Sequence, residues 1–140
     1  MLERLKSSTL REFVDPKTVA MILRILAAAF MIYGHGFGKV MNVINGHFPA
    51  GFNPLGIGPE ISMILSAFAE GICAFLILIG FWTRLASLFL IINMSVAAFI
   101  AHAGTSFGMR ERALLYLLIW VVIFLLGPGK FSFDDNGKRS

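Results

Sequence analysis

The chain has 140 residues, 57% of them hydrophobic, with a mean hydropathy of +0.80 and a formal net charge of +4 at pH 7. Apolar runs this continuous exclude a single soluble domain, and so modest a charge, with Lys and Arg at segment ends, gives no nucleic-acid-binding patch. The single cysteine, Cys73, excludes an internal disulfide, a CxxC redox pair and a thiolate-ligated iron–sulfur cluster within the chain. Any electron carrier is then non-thiolate or borrowed.

Residues 1–17 are polar, and Asp15-Pro16 suits a helix start. The first span is expected over Thr18–Val43. Ala27-Ala28-Ala29 mimics a signal cleavage site, but the apolar run continues past it and contains Arg24, so the segment reads as uncleaved. Its far end holds Tyr33-Gly34-His35-Gly36-Phe37-Gly38-Lys39, which puts a histidine and a lysine four residues apart on one helical face. Asn42 to Pro59 is dense in Gly, Pro and Asn and reads as a loop. Its Phe48, Phe52, Leu55 and Ile57 suit a segment resting at the lipid headgroups, in preference to a functional lid.

Pro59 suits the first turn of the second span, expected to run to about Phe81. Ser62, Ser66 and Glu70 recur every four residues, so one stripe of an apolar helix is polar and ends in a carboxylate near mid-span. The third span is expected over Leu85–Ala103, with Asn93 as interhelical glue and His102 at its end. The fourth opens at Arg110-Glu111-Arg112 and runs to about Leu126, where Gly127-Pro128-Gly129 stops it. Lys130 onward reads as a polar tail. Arg112, Tyr116 and Trp120 share a face that interfacial anchoring explains as well as ligand contact.

Four spans of roughly 18–25 residues match the bilayer's hydrocarbon thickness. The expected architecture is all-α, an integral membrane four-helix antiparallel bundle over residues 18–127, with an N-terminal segment 1–17 and a tail 128–140. Arg4, Lys6, Arg11, Lys17, Arg84, Lys130, Lys138 and Arg139 fall on the side of the termini, against Lys39, Arg110 and Arg112 on the other. The positive-inside rule then makes both termini cytoplasmic, in a multi-pass protein of a bacterial-type inner membrane. Arg24 reads as an anchor snorkelling to the cytoplasmic interface.

In that orientation His35, Lys39, Glu70, His102 and Arg112 lie toward the non-cytoplasmic mouth, where an up-down bundle can converge them on a cavity. A carboxyl at Glu70's depth takes a cation, Lys39 or Arg112, or a proton. The alternative is packing, because intramembrane polar groups also hold helices together. Gly34 to Lys39 lacks the P-loop's spacing and its Ser/Thr, and no strand precedes it. His35 and His102 offer one haem two ligands, but no second pair accompanies them and the reading is not carried further.

The pattern resembles the DoxX family of small four-helix membrane proteins. The matching pieces are Leu23-Arg24, His35-Gly36 with Lys39, Pro59 with Glu70-Gly71, Gly80-Phe81-Trp82-Thr83-Arg84, Met94 followed by His102, Glu111 with Ala113-Leu114, and Gly127-Pro128-Gly129-Lys130-Phe131-Ser132-Phe133-Asp134. The loop from Asn45 to Gly58 is longer than is usual for that family. The resemblance implies a membrane subunit of a quinone-reducing system, or an associate of thiol and oxidative-stress proteins; fold alone does not establish either.

The expected function is that of a membrane subunit of an oxidoreductase system that binds a quinone-like lipophilic acceptor. His35 and Glu70 are the expected proton-handling pair, with Lys39, His102, Glu111 and Arg112 as ligand-binding groups and no metal. No motif encodes a cofactor, so electrons come from a partner redox protein. Membrane lipid, a larger membrane complex and a homo-oligomer are the other expected associations. The alternative is a non-catalytic structural or assembly subunit, which predicts tolerance of substitution at Glu70 and His35. A solute or proton conduit is weaker, since no broken-helix pair of the transporter type is present.

Overall fold

The structure, a computed structural model, describes residues 1–6 and 14–136. Arg11, Lys138 and Arg139 of the charge asymmetry therefore lie outside the described residues. The regular structure among the described residues is all helical: α1 (Leu2–Lys6), α2 (Pro16–Ile44), α3 (Pro59–Ile79), α4 (Thr83–Ala101), α5 (Phe107–Leu126) and α6 (Phe133–Asn136). Helices α2, α3 and α4 are long and apolar enough to cross a membrane. Helix α5 has the length, but every 18-residue window of it includes Arg110, Glu111 and Arg112. Each boundary falls within a few residues of its expected place.

The core packs small residues against large ones. Ala27 and Ala28 of α2 and Ala74 of α3 let backbones approach, while Met31, Ile77, Leu90, Met94, Trp120 and Ile123 fill the space between. The apparent cleavage site at Ala27-Ala28-Ala29 is thus part of a helix contact. Outward faces carry Leu26, Phe30, Ile64, Ile72 and Leu118, all exposed, as a chain solvated by lipid requires. Three π-helical turns interrupt the long helices, at Ile32–Gly36, Phe68–Cys73 and Ala97–Ala101. Such turns occur often at functional sites, and here two of them contain His35 and Glu70 while the third ends just before His102.

At the end of the molecule where α2 begins and α3 ends, the structure corrects two expectations. Arg24 does not snorkel. It is fully buried, and its guanidinium donates to four carbonyl oxygens: Nη1 to Ile77 (3.2 Å) and Leu78 (3.0 Å), Nη2 to Lys130 (3.0 Å) and Phe131 (3.1 Å). Ile77 and Leu78 lie in the last turn of α3, where carbonyls lack intrahelical partners and a cation is favoured. Nor do residues 128–134 trail off as a polar tail. The Lys130 N–H donates to Lys17 O, and the Asp134 carboxylate accepts from the N–H groups of Trp82 (2.8 Å) and Thr83 (2.9 Å). Asp134 is therefore the N-terminal cap of α4, supplied from 51 residues away in sequence.

The turn between α3 and α4 is built to receive these groups. Gly80 has φ 74°, and a Cβ there would collide with Ser132 and with Arg24 Nη1. Trp82, at φ 51°, is left-handed without being glycine, a conformation that the Asp134 cap and stacking on Phe81 (4.7 Å between ring centroids) hold in place. Asp134→Ala is expected to lower stability by about 1–2 kcal/mol, read as an earlier thermal unfolding in detergent, with Asp134→Asn recovering most of it. The neighbouring Asp15–Lys130 pair (3.0 Å) is exposed and contributes little. Hydrogen bonding from Lys130 holds the Asp15 carboxyl below its ordinary range, against the opposing effect of desolvation. Whatever this pair adds is present at neutral pH and lost as pH falls through that lowered value.

Candidate functional site

The opposite end gathers the polar groups of three helices. Helices α2 and α3 cross there backbone to backbone, because Gly36 has no side chain to hold them apart: a Cβ would lie on the Glu70 carbonyl. The crossing brings Lys39 Nζ to 2.6 Å from Glu70 Oε2. Glu70 is 4% exposed, and its other oxygen, Oε1, accepts from Asn93 Nδ2 of α4 at 2.8 Å. Lys39 Nζ also donates to Ser66 Oγ (2.8 Å) and sits 5.3 Å from the centre of the Phe52 ring. The polar stripe read from the sequence, Ser62, Ser66 and Glu70, is buried along its whole length.

Two cavities flank this ion pair. The larger, about 640 Å³, is bounded by the 51–57 segment, α3 and α4; its walls are mostly apolar, including Phe52, Leu55, Leu65, Phe68, Phe89 and Ile92. The smaller, about 440 Å³, is bounded by α2, α4 and α5 and includes His35, Arg112 and Tyr116. Lys39, Glu70 and His102 belong to the walls of both. An apolar chamber and a polar one thus meet at a buried, charge-paired carboxylate. The arrangement sets groups able to donate or accept protons beside an apolar chamber.

Of the six expected site residues, His35, Lys39, Glu70, His102 and Arg112 border these cavities. Glu111 is exposed and borders neither. His35 packs edge-on against Tyr116 (5.9 Å, 89°), which in turn stacks on the buried Trp120 (6.1 Å). The face shared by Arg112, Tyr116 and Trp120 therefore turns partly inward. Arg110 is engaged elsewhere, donating to Ala98 O at 3.1 Å. Residues 51–57 of the loop wall the larger cavity, with Phe52 drawn over Lys39 and the Asn53 side chain accepting from the Gly58 N–H at 2.9 Å.

Sequence reasoning passes over three members of the site. Asn93 reads as glue between helices, but its partner is the Glu70 carboxylate itself. Ser66 is visible in the four-residue stripe, yet its bond to Lys39 needs the α2–α3 crossing. Phe52 carries no sequence signal beyond being aromatic in a loop. Among the described residues, no group of three or more His, Cys, Asp or Glu side chains is placed to hold a metal ion, and Cys73 is buried.

Long apolar helices around an intramembrane polar cluster define a polytopic helical membrane protein. More particularly, the chain belongs to the DoxX family, whose model matches residues 19–103. That stretch covers nearly all of α2, α3 and α4 and every residue of the Lys39–Glu70–Asn93 cluster. The chain is also similar to an uncharacterized protein of Haemophilus influenzae, 34% identical over 100 residues, which are 69% of this chain and 65% of that protein. The match thus spans less than two thirds of that relative. No solved structure matches the chain.

Proposed function

We propose that this DoxX-family membrane protein is the membrane subunit of an oxidoreductase system and binds a quinone-like lipophilic acceptor at the Lys39–Glu70 pair. In this reading α2 to α5 form a four-helix antiparallel bundle spanning a bacterial-type inner membrane. Both termini, and the clasp around Arg24, face the cytoplasm, and the two cavities lie toward the other side. The observation that carries the proposal is the buried ion pair in a wall common to an apolar and a polar cavity.

A quinone supplies two-electron carbonyl chemistry and takes up two protons as it is reduced; the electrons come from a partner redox protein. The chain's own residues handle the rest. Lys39 stabilises negative charge on the ring oxygen nearest it, and Arg112 and His102 add hydrogen-bond donors around the polar chamber. Glu70 and His35 relay protons to the bound ring. The apolar walls hold the tail and exclude water.

Glu70→Gln is expected to cut quinol formation in native membranes by about 10²–10⁴-fold, with the protein still folded and inserted. Retention of wild-type activity in that variant would remove Glu70 from the reaction. Binding is read separately, by mass spectrometry of the organic extract from gently purified protein. Stoichiometric quinone in the wild type, lost in a His35→Ala, Glu70→Gln double variant, is the expected result.

One observation favours a second reading. Lys39 and Asn93 engage both oxygens of Glu70 and so tie α2, α3 and α4 together without any ligand. A non-catalytic subunit of a larger membrane complex needs no more than that. A complex that survives mild detergent with only trace quinone, equal in wild type and double variant, would favour it.

A further inference from the structure

The charges around the two cavities do not cancel. Among the described residues, Lys39, Glu70 and Arg112 are the charged side chains in the cavity walls, two cations against one anion. Glu70 is already engaged, with one oxygen on Lys39 and the other on Asn93. Glu111, beside Arg112 in sequence, borders neither cavity. His35 and His102 can only add charge of the same sign, by taking up a proton. The surplus is positive, and it belongs to Arg112.

Arg112 is placed unlike the arginines that serve the fold. Arg24, Arg84 and Arg110 each donate to backbone carbonyls, whereas Arg112 makes no hydrogen bond or ion pair with a described residue. Its charge nevertheless acts on His35 of α2 and on Tyr116, one turn along α5, and both of these border the smaller cavity with it. The guanidinium is thus on the cavity side of α5, with its five N–H donors left unclaimed by the protein. Arg112 is also exposed, so a ligand can reach it. A planar fork of donors matches two oxygens side by side, and it holds them more strongly when they share a negative charge.

Resting on the quinone reading above, we infer that the ligand is an acidic quinone, one whose ring carries an ionised oxygen substituent next to a carbonyl. Arg112 grips that pair of oxygens in the polar chamber, and the apolar body of the ligand extends into the larger cavity. Arg112 is then a specificity-determining residue. It separates anionic rings from neutral ones, whereas the apolar walls grip both alike.

The test uses the full-length protein in phosphatidylcholine nanodiscs and two probes with one fused-ring skeleton. The first, 2-hydroxy-1,4-naphthoquinone, is a vinylogous carboxylic acid and is ionised at neutral pH; the second, 2-methoxy-1,4-naphthoquinone, is its neutral ether. With partition into empty nanodiscs subtracted, the wild type is expected to bind the acid about ten- to a hundredfold more tightly, the worth of a hydrogen bond between charged groups. Arg112→Gln should erase that preference by weakening the acid alone, and unchanged binding of the ether shows that the variant is still folded. An undiminished preference in Arg112→Gln overturns the inference and leaves the quinone reading standing. So does a loss for both probes in that variant, or a wild type that binds the acid no better than the ether, as it would if lipid phosphate held the guanidinium. No measurable binding of either probe by the wild type overturns the inference and the quinone reading together.

Discussion

Arg24→Ala is expected to destabilise the protein by on the order of 3–5 kcal/mol. The guanidinium joins three pieces of chain: α2, which carries it, the last turn of α3 through Ile77 and Leu78, and the segment after α5 through Lys130 and Phe131. Removing it leaves the Leu78, Lys130 and Phe131 carbonyls without that donor, while Ile77 O keeps only the Gly80 N–H. It also frees the segment that delivers Asp134 to the start of α4, so the loss extends beyond one residue's bonds. Arg24→Lys should recover only part, since an ammonium has three donors and no planar fork to span two pairs of carbonyls. Thermal unfolding in detergent reads the effect directly, and tryptic cleavage after Lys130 reads the undocking. A variant that melts with the wild type and resists trypsin equally would remove Arg24 from this role.

The same residue marks where sequence reading ends. The long helices are legible because a bilayer demands both length and apolarity, and a chain can meet both demands only in ways visible one residue at a time. Glu70 is legible for the opposite reason, since a carboxyl in such a helix is costly enough to need a purpose. Arg24 is misread because snorkelling and burial differ only in what lies beside the side chain. Its acceptors are backbone carbonyls, which every residue possesses and no sequence advertises. Residues 128–134 are misread with it, as their anchoring depends on those carbonyls and on an aspartate capping a helix that begins 51 residues earlier. The loop over the larger cavity is legible only in part. Its composition says that it is irregular, but only the position of Lys39 beneath Phe52 says where it rests.

Gly36→Ala is expected to affect stability and site together. A Cβ at this position would collide with the Glu70 carbonyl oxygen and lie 2.6 Å from its carbon and 2.9 Å from Gly71 Cα, all backbone atoms that no rotamer change can move aside. The helices must part, at a cost of about 1–3 kcal/mol, and the parting occurs at the residue whose side chain defines the site. Lys39 lies three residues beyond Gly36 on one helix and Glu70 lies at the contact on the other, so their 2.6 Å ion pair is lengthened by whatever separation the methyl group imposes. Gly34→Ala and Gly38→Ala supply the controls. A Cβ at either position meets nothing within 4 Å, and the better helix propensity of alanine makes these changes neutral or slightly stabilising. Melting curves and naphthoquinone binding measured for the three variants side by side should single out Gly36→Ala, with both properties impaired. If it behaves like its two neighbours, the α2–α3 crossing does not set the geometry of the ion pair. If it melts early yet binds as the wild type does, the pair is a packing contact and the ligand is held elsewhere. Because the Gly36 backbone rests against the Glu70 carbonyl, the contact that sets the helix crossing also sets the ion pair, so both properties should fall together.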